Sequence, residues 1–285
     1  MRTRLLLPLL LLSGCALEPG ESFAVLEPTV RADYAPVDSR DAGNGFQRLA
    51  SDFQLRLDGA ALGVAHIDLV GGASTGGPTT FDPANPPPGY TNCHNGHCHR
   101  DDGALVDYED IQAELDGGGG GSEATVASLH VDADLDLLTD ETLTPECEPS
   151  CELARTTINR YQWDVTTVRL EGAVRDSRAT PRFTGERPFR LVLTTDDNAE
   201  EGQPLFALRG AVDIPADREN KPRVKLAMHL TLSPALFDTL DWAPLTPGPD
   251  GVVDLNAPEH TAFRTALLES LSALEPQAEV RREDR

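Results

Sequence analysis

Strict alternation of apolar and polar residues constrains the fold of this chain more than any other feature. The clearest run is Val224, Leu226, Met228, Leu230 and Leu232, with polar or small residues between them. Successive side chains of a β-strand point to opposite faces, so this run predicts a strand with one buried face. Met228 is then expected in the core, and the neighbouring His229 is expected to point outward.

Similar alternation recurs at residues 53–57, 67–69, 127–137, 161–165, 189–193 and 206–214. Gly59 separates the first two runs and predicts a hairpin turn there. After Val165 the apolar phase slips to Val168, which predicts a β-bulge. Many short strands with turn signals between them favour a mainly β fold, an antiparallel β-sandwich of about 7–9 strands.

Two segments show helical spacing instead. Tyr108, Ile111 and Leu115 predict a short helix over residues 107–115. Near the end of the chain, Asn256 is a candidate N-cap and Pro258 is expected in the first turn. An apolar stripe follows and predicts one C-terminal helix: Phe263, Leu267, Leu271 and Leu274.

Residues 90–103 carry an unusual concentration of potential metal ligands, namely Cys93, His94, His97, Cys98 and His99. Asn95-Gly96 at the centre favours a two-residue hairpin turn, because both positions of a type I′ turn need a positive φ. In such a hairpin His94 pairs with His97, and Cys93 pairs with Cys98. Alternation then places the three histidines on one face and both cysteines on the other.

Three imidazoles on one face form a chelating arrangement that suits copper or zinc. Asp101 and Asp102 are candidates to complete the ligand set, and His130 could reach it from a neighbouring strand. The alternative is a plain disulfide hairpin with solvated histidines. Cys93-x4-Cys98-His99 also resembles the longer-spaced variant of the c-type haem attachment motif, with His99 as proximal ligand. Distant candidates for the second axial ligand are Met228, His229, His130 and His66.

The N-terminus combines Arg2 and Arg4, an apolar stretch at residues 5–12, and Leu12-Ser13-Gly14-Cys15. The stretch is too short for a membrane span, and residues 1–14 are expected to be a signal peptide. Residues 1–16 resemble the lipobox of bacterial lipoproteins. That resemblance implies cleavage before Cys15 and an acyl anchor on it. Ala16, in place of Asp, implies the outer membrane, with the protein facing the periplasm or the cell surface.

If Cys15 carries the lipid, four cysteines remain: Cys93, Cys98, Cys147 and Cys151. An even number in an oxidising compartment predicts two disulfides, although a thiolate role stays open for each residue. The sequence leaves three pairings possible. Composition further divides the chain into an acidic Pro/Gly tether at 15–45, a β-sandwich domain at 46–276 and a frayed charged tail at 277–285.

The formal net charge is −23, and it becomes −25 once Arg2 and Arg4 are removed with the signal peptide. Such a chain is a poor partner for nucleic acid or for anionic headgroups, and it has no basic run to offset the charge. It also has no P-loop, no dinucleotide fingerprint and no H-E-x-x-H motif, and we expect no enzyme.

Three functional hypotheses remain. The first is a lipid-anchored periplasmic protein that holds copper or zinc for storage, delivery or sensing, with a metal-handling protein as partner. The second is a non-catalytic structural lipoprotein that docks an envelope partner and uses its cysteines as two disulfides. The third is an electron-transfer protein with one haem c.

Overall fold

The computed structural model describes residues 24–72, 81–83, 86, 90–94, 96–100, 105–108, 111, 124–153, 157–198, 202–214 and 222–283. These residues contain fifteen strands, of which eight have seven or more residues, so the prediction of a mainly β fold is confirmed. The prediction is about 7–9 strands, and eight strands of this length are present. The other seven strands have two to five residues each.

The strands are β1 Ala24–Tyr34, β2 Gln47–Arg48, β3 Phe53–Gly72, β4 Tyr90–His94, β5 His97–Arg100, β6 Leu105–Asp107, β7 Ala124–Asp136, β8 Glu146–Glu148, β9 Glu152–Leu153, β10 Thr157–Asp176, β11 Glu186–Thr194, β12 Phe206–Ile214, β13 Arg223–Leu232, β14 Val253–Asp254 and β15 Gln277–Glu283. One α-helix, α1, is described in full and spans Thr261–Ser272. Short 3-10 helices cover Asp38–Arg40, Thr195–Asp197, Pro234–Phe237 and Pro258–His260.

Three sheets organise these strands. An eight-stranded sheet has the order β14-β11-β10-β3-β7-β8, with β12 also on β10 and β2 on β3. A four-stranded sheet has the order β15-β13-β1-β9, and a small sheet has the order β4-β5-β6. The alternating buried residues of the two larger sheets belong to one continuous core, as expected of a sandwich. Most pairings are antiparallel, but β1–β13 and β11–β14 are parallel.

The longest pairing joins β3 to β10, from Phe53 opposite Asp176 to Gly72 opposite Thr157. The hairpin predicted at Gly59 is therefore wrong, because Gly59 lies inside β3 opposite Glu171. Close approach of the two strands also explains a glycine in β10. A Cβ atom at Gly172 would lie 2.0 Å from the carbonyl oxygen of Arg56.

The bulge predicted after Val165 is confirmed. The register between β10 and β3 shifts between Trp163 and Val165, and again between Val165 and Thr167. Trp163, Val165 and Val168 are all buried despite the change of phase. The extra residue lets both segments of the strand keep an apolar face toward the core.

The tether predicted at 15–45 is corrected by β1, which lies between β13 and β9. Residues 15–23 lie outside the described part. Buried residues alternate with partly exposed ones along β1, and a proline is among the buried residues: Leu26, Pro28, Val30 and Ala32 face inward. Val30 and Ala32 are at most 1 % exposed. Pairing with a distant strand stabilises a segment whose own composition does not predict a strand.

The frayed tail predicted at 277–285 is corrected in the same way, because β15 pairs antiparallel with β13 from Gln277 to Glu283. Ala278 and Val280 pack against the core, and Lys225 bonds Glu283 across the strands. The high charge of this segment reflects an exposed strand face.

The C-terminal helix is confirmed, with Phe263, Leu267 and Leu271 buried. Phe263 packs edge-on against Trp242, with ring centroids 4.7 Å apart. Asn256 does not cap the helix, because its side chain bonds the backbone of Val192 in β11. The other predicted helix, at residues 107–115, lies mostly outside the described residues. Of its members, Asp107 ends β6, while Tyr108 and Ile111 are helical.

One carboxylate organises the loop after β10. The side chain of Asp176 is fully buried and accepts hydrogen bonds from Nε, Nη2 and the backbone N–H of Arg178, and from the backbone N–H of Arg182. Bonding to Arg178 is the main cause that lowers the pKa of Asp176 far below its ordinary value. The carboxylate is thus the common acceptor that fixes this turn.

We expect Asp176→Asn to lower the melting temperature by about 5 °C at pH 7, because an amide cannot accept all four hydrogen bonds. A depressed pKa stabilises the folded state above the pKa of the unfolded chain, and the stabilisation is lost as pH falls through the folded-state pKa. The difference between wild type and variant should therefore shrink below about pH 4. Thermal unfolding followed by circular dichroism across this pH range measures both effects.

Asp58→Asn is the matched control. Asp58 also forms a two-bond pair with the arginine two residues away, Arg56, but its side chain is 50 % exposed. Solvent screening should make its loss nearly neutral. Equal melting temperatures for the two variants would contradict the role given to Asp176.

Candidate metal centre

The small sheet lies, in the sequence, between two neighbouring strands of the large sheet. β3 and β7 are direct neighbours, and their pairing continues to Gly71 opposite Ala124. Residues 73–123 connect these two strands and contain β4, β5 and β6. The candidate site is therefore carried on the connection between two adjacent strands.

The predicted pairing of His94 with His97 is confirmed. β4 ends at His94, β5 begins at His97, and these two residues are register partners. Gly96 has φ +90°, a conformation that favours glycine, and its carbonyl oxygen accepts from the N–H of Tyr108 at 2.9 Å. Asn95 lies outside the described residues.

The register differs from the prediction one step away from the turn. His99 lies opposite Thr91, and the register shifts between Thr91 and His94. An extra residue in β4 therefore interrupts the ladder next to the turn. The bulge is not visible in the sequence, because Asn92 and Cys93 fit either register.

A disulfide joins Cys93 to Cys98 across this bulge, with Cα atoms 4.0 Å apart. Cys98 is fully buried and lies opposite Val106 of β6. A second disulfide joins Cys147, in β8, to Cys151. Of the three pairings that the sequence leaves open, the structure has the one with two local loops.

Sequence analysis missed the third strand of this sheet. β6 pairs with β5 from Asp107 opposite His97 to Leu105 opposite His99. Leu105 and Val106, two adjacent apolar residues shortly after Gly103, are compatible with a short strand. The helical spacing that begins at Tyr108 favoured a helix there instead. β6 gives β5 a neighbour on each side, while β4 stays at the edge.

The three histidines come together as predicted. One potential ligand nitrogen from each imidazole lies within 4.8 Å of those from the other two, and Nε2 of His94 is 3.3 Å from Nε2 of His99. The imidazole centroids of His94 and His97 are 4.7 Å apart. His94 is exposed, and His97 and His99 are half-buried.

This donor set fits a transition metal. With metal–nitrogen bonds of about 2.0–2.1 Å, tetrahedral nitrogens lie roughly 3.3 Å apart, the separation found between His94 and His99. Neutral imidazole suits zinc and copper, whereas calcium and magnesium need oxygen ligands. Three nitrogens also leave a coordination position for water or an incoming ligand.

The remaining predicted ligands are placed elsewhere or not described. His130 lies in β7, where its Nε2 is 2.6 Å from Glu148 and its Nδ1 is 3.7 Å from Asp132. The structure does not group it with the three histidines. Asp101 and Asp102 lie outside the described residues.

The haem hypothesis finds no support in the same geometry. Thioether attachment needs the sulfur atoms of Cys93 and Cys98, and the two are bonded to each other. Among the candidate axial ligands, Met228 is 1 % exposed in the core. His66 and His229 are engaged by carboxylates, at 3.2 Å from Asp164 and 3.1 Å from Asp33.

Comparison with known proteins adds no family to these observations. No protein-family model, curated protein or solved structure matches the chain. Within the described residues, no helix combines the length and the apolar character needed to cross a bilayer. The three imidazoles are therefore the feature of the molecule that bears on function.

Proposed function

We propose that the protein binds a copper or zinc ion through His94, His97 and His99. The observation that carries this proposal is the convergence of the three imidazoles within 4.8 Å on one short hairpin. The disulfide between Cys93 and Cys98 lies in that hairpin and limits the movement of its strands. A site whose ligands are ordered beforehand binds with a smaller loss of conformational entropy.

The donor set favours divalent copper over zinc, since affinity for a given nitrogen site rises toward copper in the first transition series. Both cysteine sulfurs next to the histidines are oxidised in the disulfide, and oxidised sulfur offers no thiolate. The ligands of the proposed ion among the described residues are therefore the three imidazole nitrogens, and a fourth position is left for solvent or for Asp101 or Asp102.

Exposure of His94 and the open coordination position suit an ion that is exchanged. Structural zinc sites are closed by four protein ligands, whereas the described residues group three here. We therefore propose storage, delivery or sensing of the metal, with a metal-handling protein as partner. The lipobox resemblance would place the site at the outer membrane, through an anchor on Cys15.

Each of the variants His94→Ala, His97→Ala and His99→Ala should weaken binding of Cu²⁺ or Zn²⁺ about 100-fold, because each removes one of three ligands. Isothermal titration of the full chain with each metal measures the affinity. His130→Ala is the matched control, since it removes a half-exposed strand histidine that bonds Glu148. Its affinity should equal that of wild type.

Retention of wild-type affinity in the His94/His97/His99 triple alanine variant would overturn the site. Failure of the wild-type chain to take up either metal would overturn the proposed function. The remaining hypothesis would then be an interaction lipoprotein whose two disulfides serve stability alone.

The turn offers a second, backbone-level test. Gly96→Ala should weaken metal binding roughly tenfold, because a positive φ costs about 1–2 kcal/mol for a residue with a Cβ atom. No atom lies within 4 Å of the added methyl group, so the effect is one of backbone conformation alone. Titration with Zn²⁺ measures it.

Gly251→Ala is the control for that experiment. Gly251 has a similar φ of +79° and equally open surroundings, but it lies in the turn before β14. It should carry the same backbone penalty without changing metal affinity. A loss of affinity in both variants would show that the Gly96 effect is not local.

A further inference from the structure

We propose that the disulfide between Cys93 and Cys98 controls metal affinity, so that its reduction releases the ion. This inference rests on the proposed function and adds a redox input to the same site. It follows from where the disulfide lies relative to the histidines and from the shortness of the two strands that carry them.

The two strands that carry the histidines are short. β4 has five residues and β5 has four, and within the described residues β4 pairs with β5 alone, while β5 also pairs with β6. Strands this short are marginal without a covalent or tertiary support. The register shift between Thr91 and His94 further separates His94 from the regular ladder. The disulfide ties Cys93, the immediate neighbour of His94, to Cys98, the neighbour of both His97 and His99.

The thiols formed by reduction are poorly placed to bind the metal beside the imidazoles. Cys98 is fully buried, whereas its neighbours His97 and His99 are half-exposed. The alternation of side chains along β5 places its sulfur on the face opposite the imidazoles. The reduced hairpin therefore loses a constraint without gaining a ligand on the metal-binding face.

The reaction is a thiol–disulfide exchange with a dithiol reductant. One thiolate of the reductant attacks Sγ of Cys93, the less buried of the two cysteines. The Cys93–Cys98 bond breaks, a mixed disulfide forms on Cys93, and Cys98 leaves as a thiolate that takes up a proton. The second reductant thiol then attacks the mixed disulfide. The products are two protonated cysteines and one oxidised reductant, after transfer of two electrons.

Binding and reduction are coupled in both directions. If reduction lowers metal affinity by some factor, a bound metal must raise the resistance of the disulfide to reduction by the same factor. The oxidised protein then holds the ion, and a reducing partner triggers its release. The exposed face of the site leaves a path by which the ion can depart.

The test compares the two disulfides of the full chain with Zn²⁺ as the probe. Cys93→Ala/Cys98→Ala should bind Zn²⁺ at least tenfold more weakly than wild type in isothermal titration. Cys147→Ala/Cys151→Ala is the matched control, because it removes the other local disulfide, whose Cys147 lies in β8. Its Zn²⁺ affinity should be unchanged.

A second measurement avoids dependence on the folding of the alanine variant. The Cys147→Ala/Cys151→Ala protein is reduced with a dithiol, desalted without oxygen and titrated with Zn²⁺. It should show the same loss of at least tenfold, and reoxidation should restore the affinity. Bound Zn²⁺ should slow its reduction by a comparable factor.

The outcomes separate the two proposals. No Zn²⁺ or Cu²⁺ binding by oxidised wild type would overturn the proposed function. Tight binding that is equal in oxidised and reduced protein would overturn the redox control alone. Tighter binding after reduction would show that thiolates are ligands, which also overturns it.

Discussion

The antiparallel pairing of β3 with β10 is the longest strand pairing described, and the other long strands of the large sheet attach to these two strands. These strands hydrogen-bond from Phe53 opposite Asp176 to Gly72 opposite Thr157. β11 and β12 share the other edge of β10, each covering part of its length, and β7 extends the sheet beyond β3. The four-stranded sheet then covers the apolar face that this framework presents. Bulges let such long strands twist while each segment keeps its buried face.

The candidate site lies on the connection between two neighbouring strands of this framework. β3 and β7 pair up to Gly71 opposite Ala124, and residues 73–123 connect them. No described residue of this connection belongs to the continuous core of the two larger sheets. Cys98 and Ile111, which lie on the connection, are fully buried. A metal site can be built there, since the three histidines take no part in the main core.

Sequence patterns identified the mainly β fold, the C-terminal helix and the buried face of β13, because each follows from the local spacing of apolar residues. They failed where a partner distant in sequence decides the structure. β1 and β15 pair with β13, and neither segment predicts a strand by composition. Gly59 looked like a turn, yet the pairing with Glu171 keeps it inside β3. Local pattern alone does not contain these long-range pairings.

The candidate site could be predicted in larger part because its determinants are local. The Asn95-Gly96 turn, the pairing of His94 with His97 and the nearby cysteines all fall within seven residues. The bulge and β6 escaped prediction, since they depend on neighbouring segments. His130 could not be placed from sequence, because its position follows from the pairing of β7 with β3 and β8.

X-ray absorption spectroscopy of the copper- or zinc-loaded oxidised protein identifies the atoms that hold the ion. We expect about three imidazole nitrogens at roughly 2.0 Å, the multiple-scattering signature of histidine rings, and no sulfur in the coordination shell. A shell of sulfur at about 2.3 Å would rule out the three-imidazole site, as would coordination by oxygen alone.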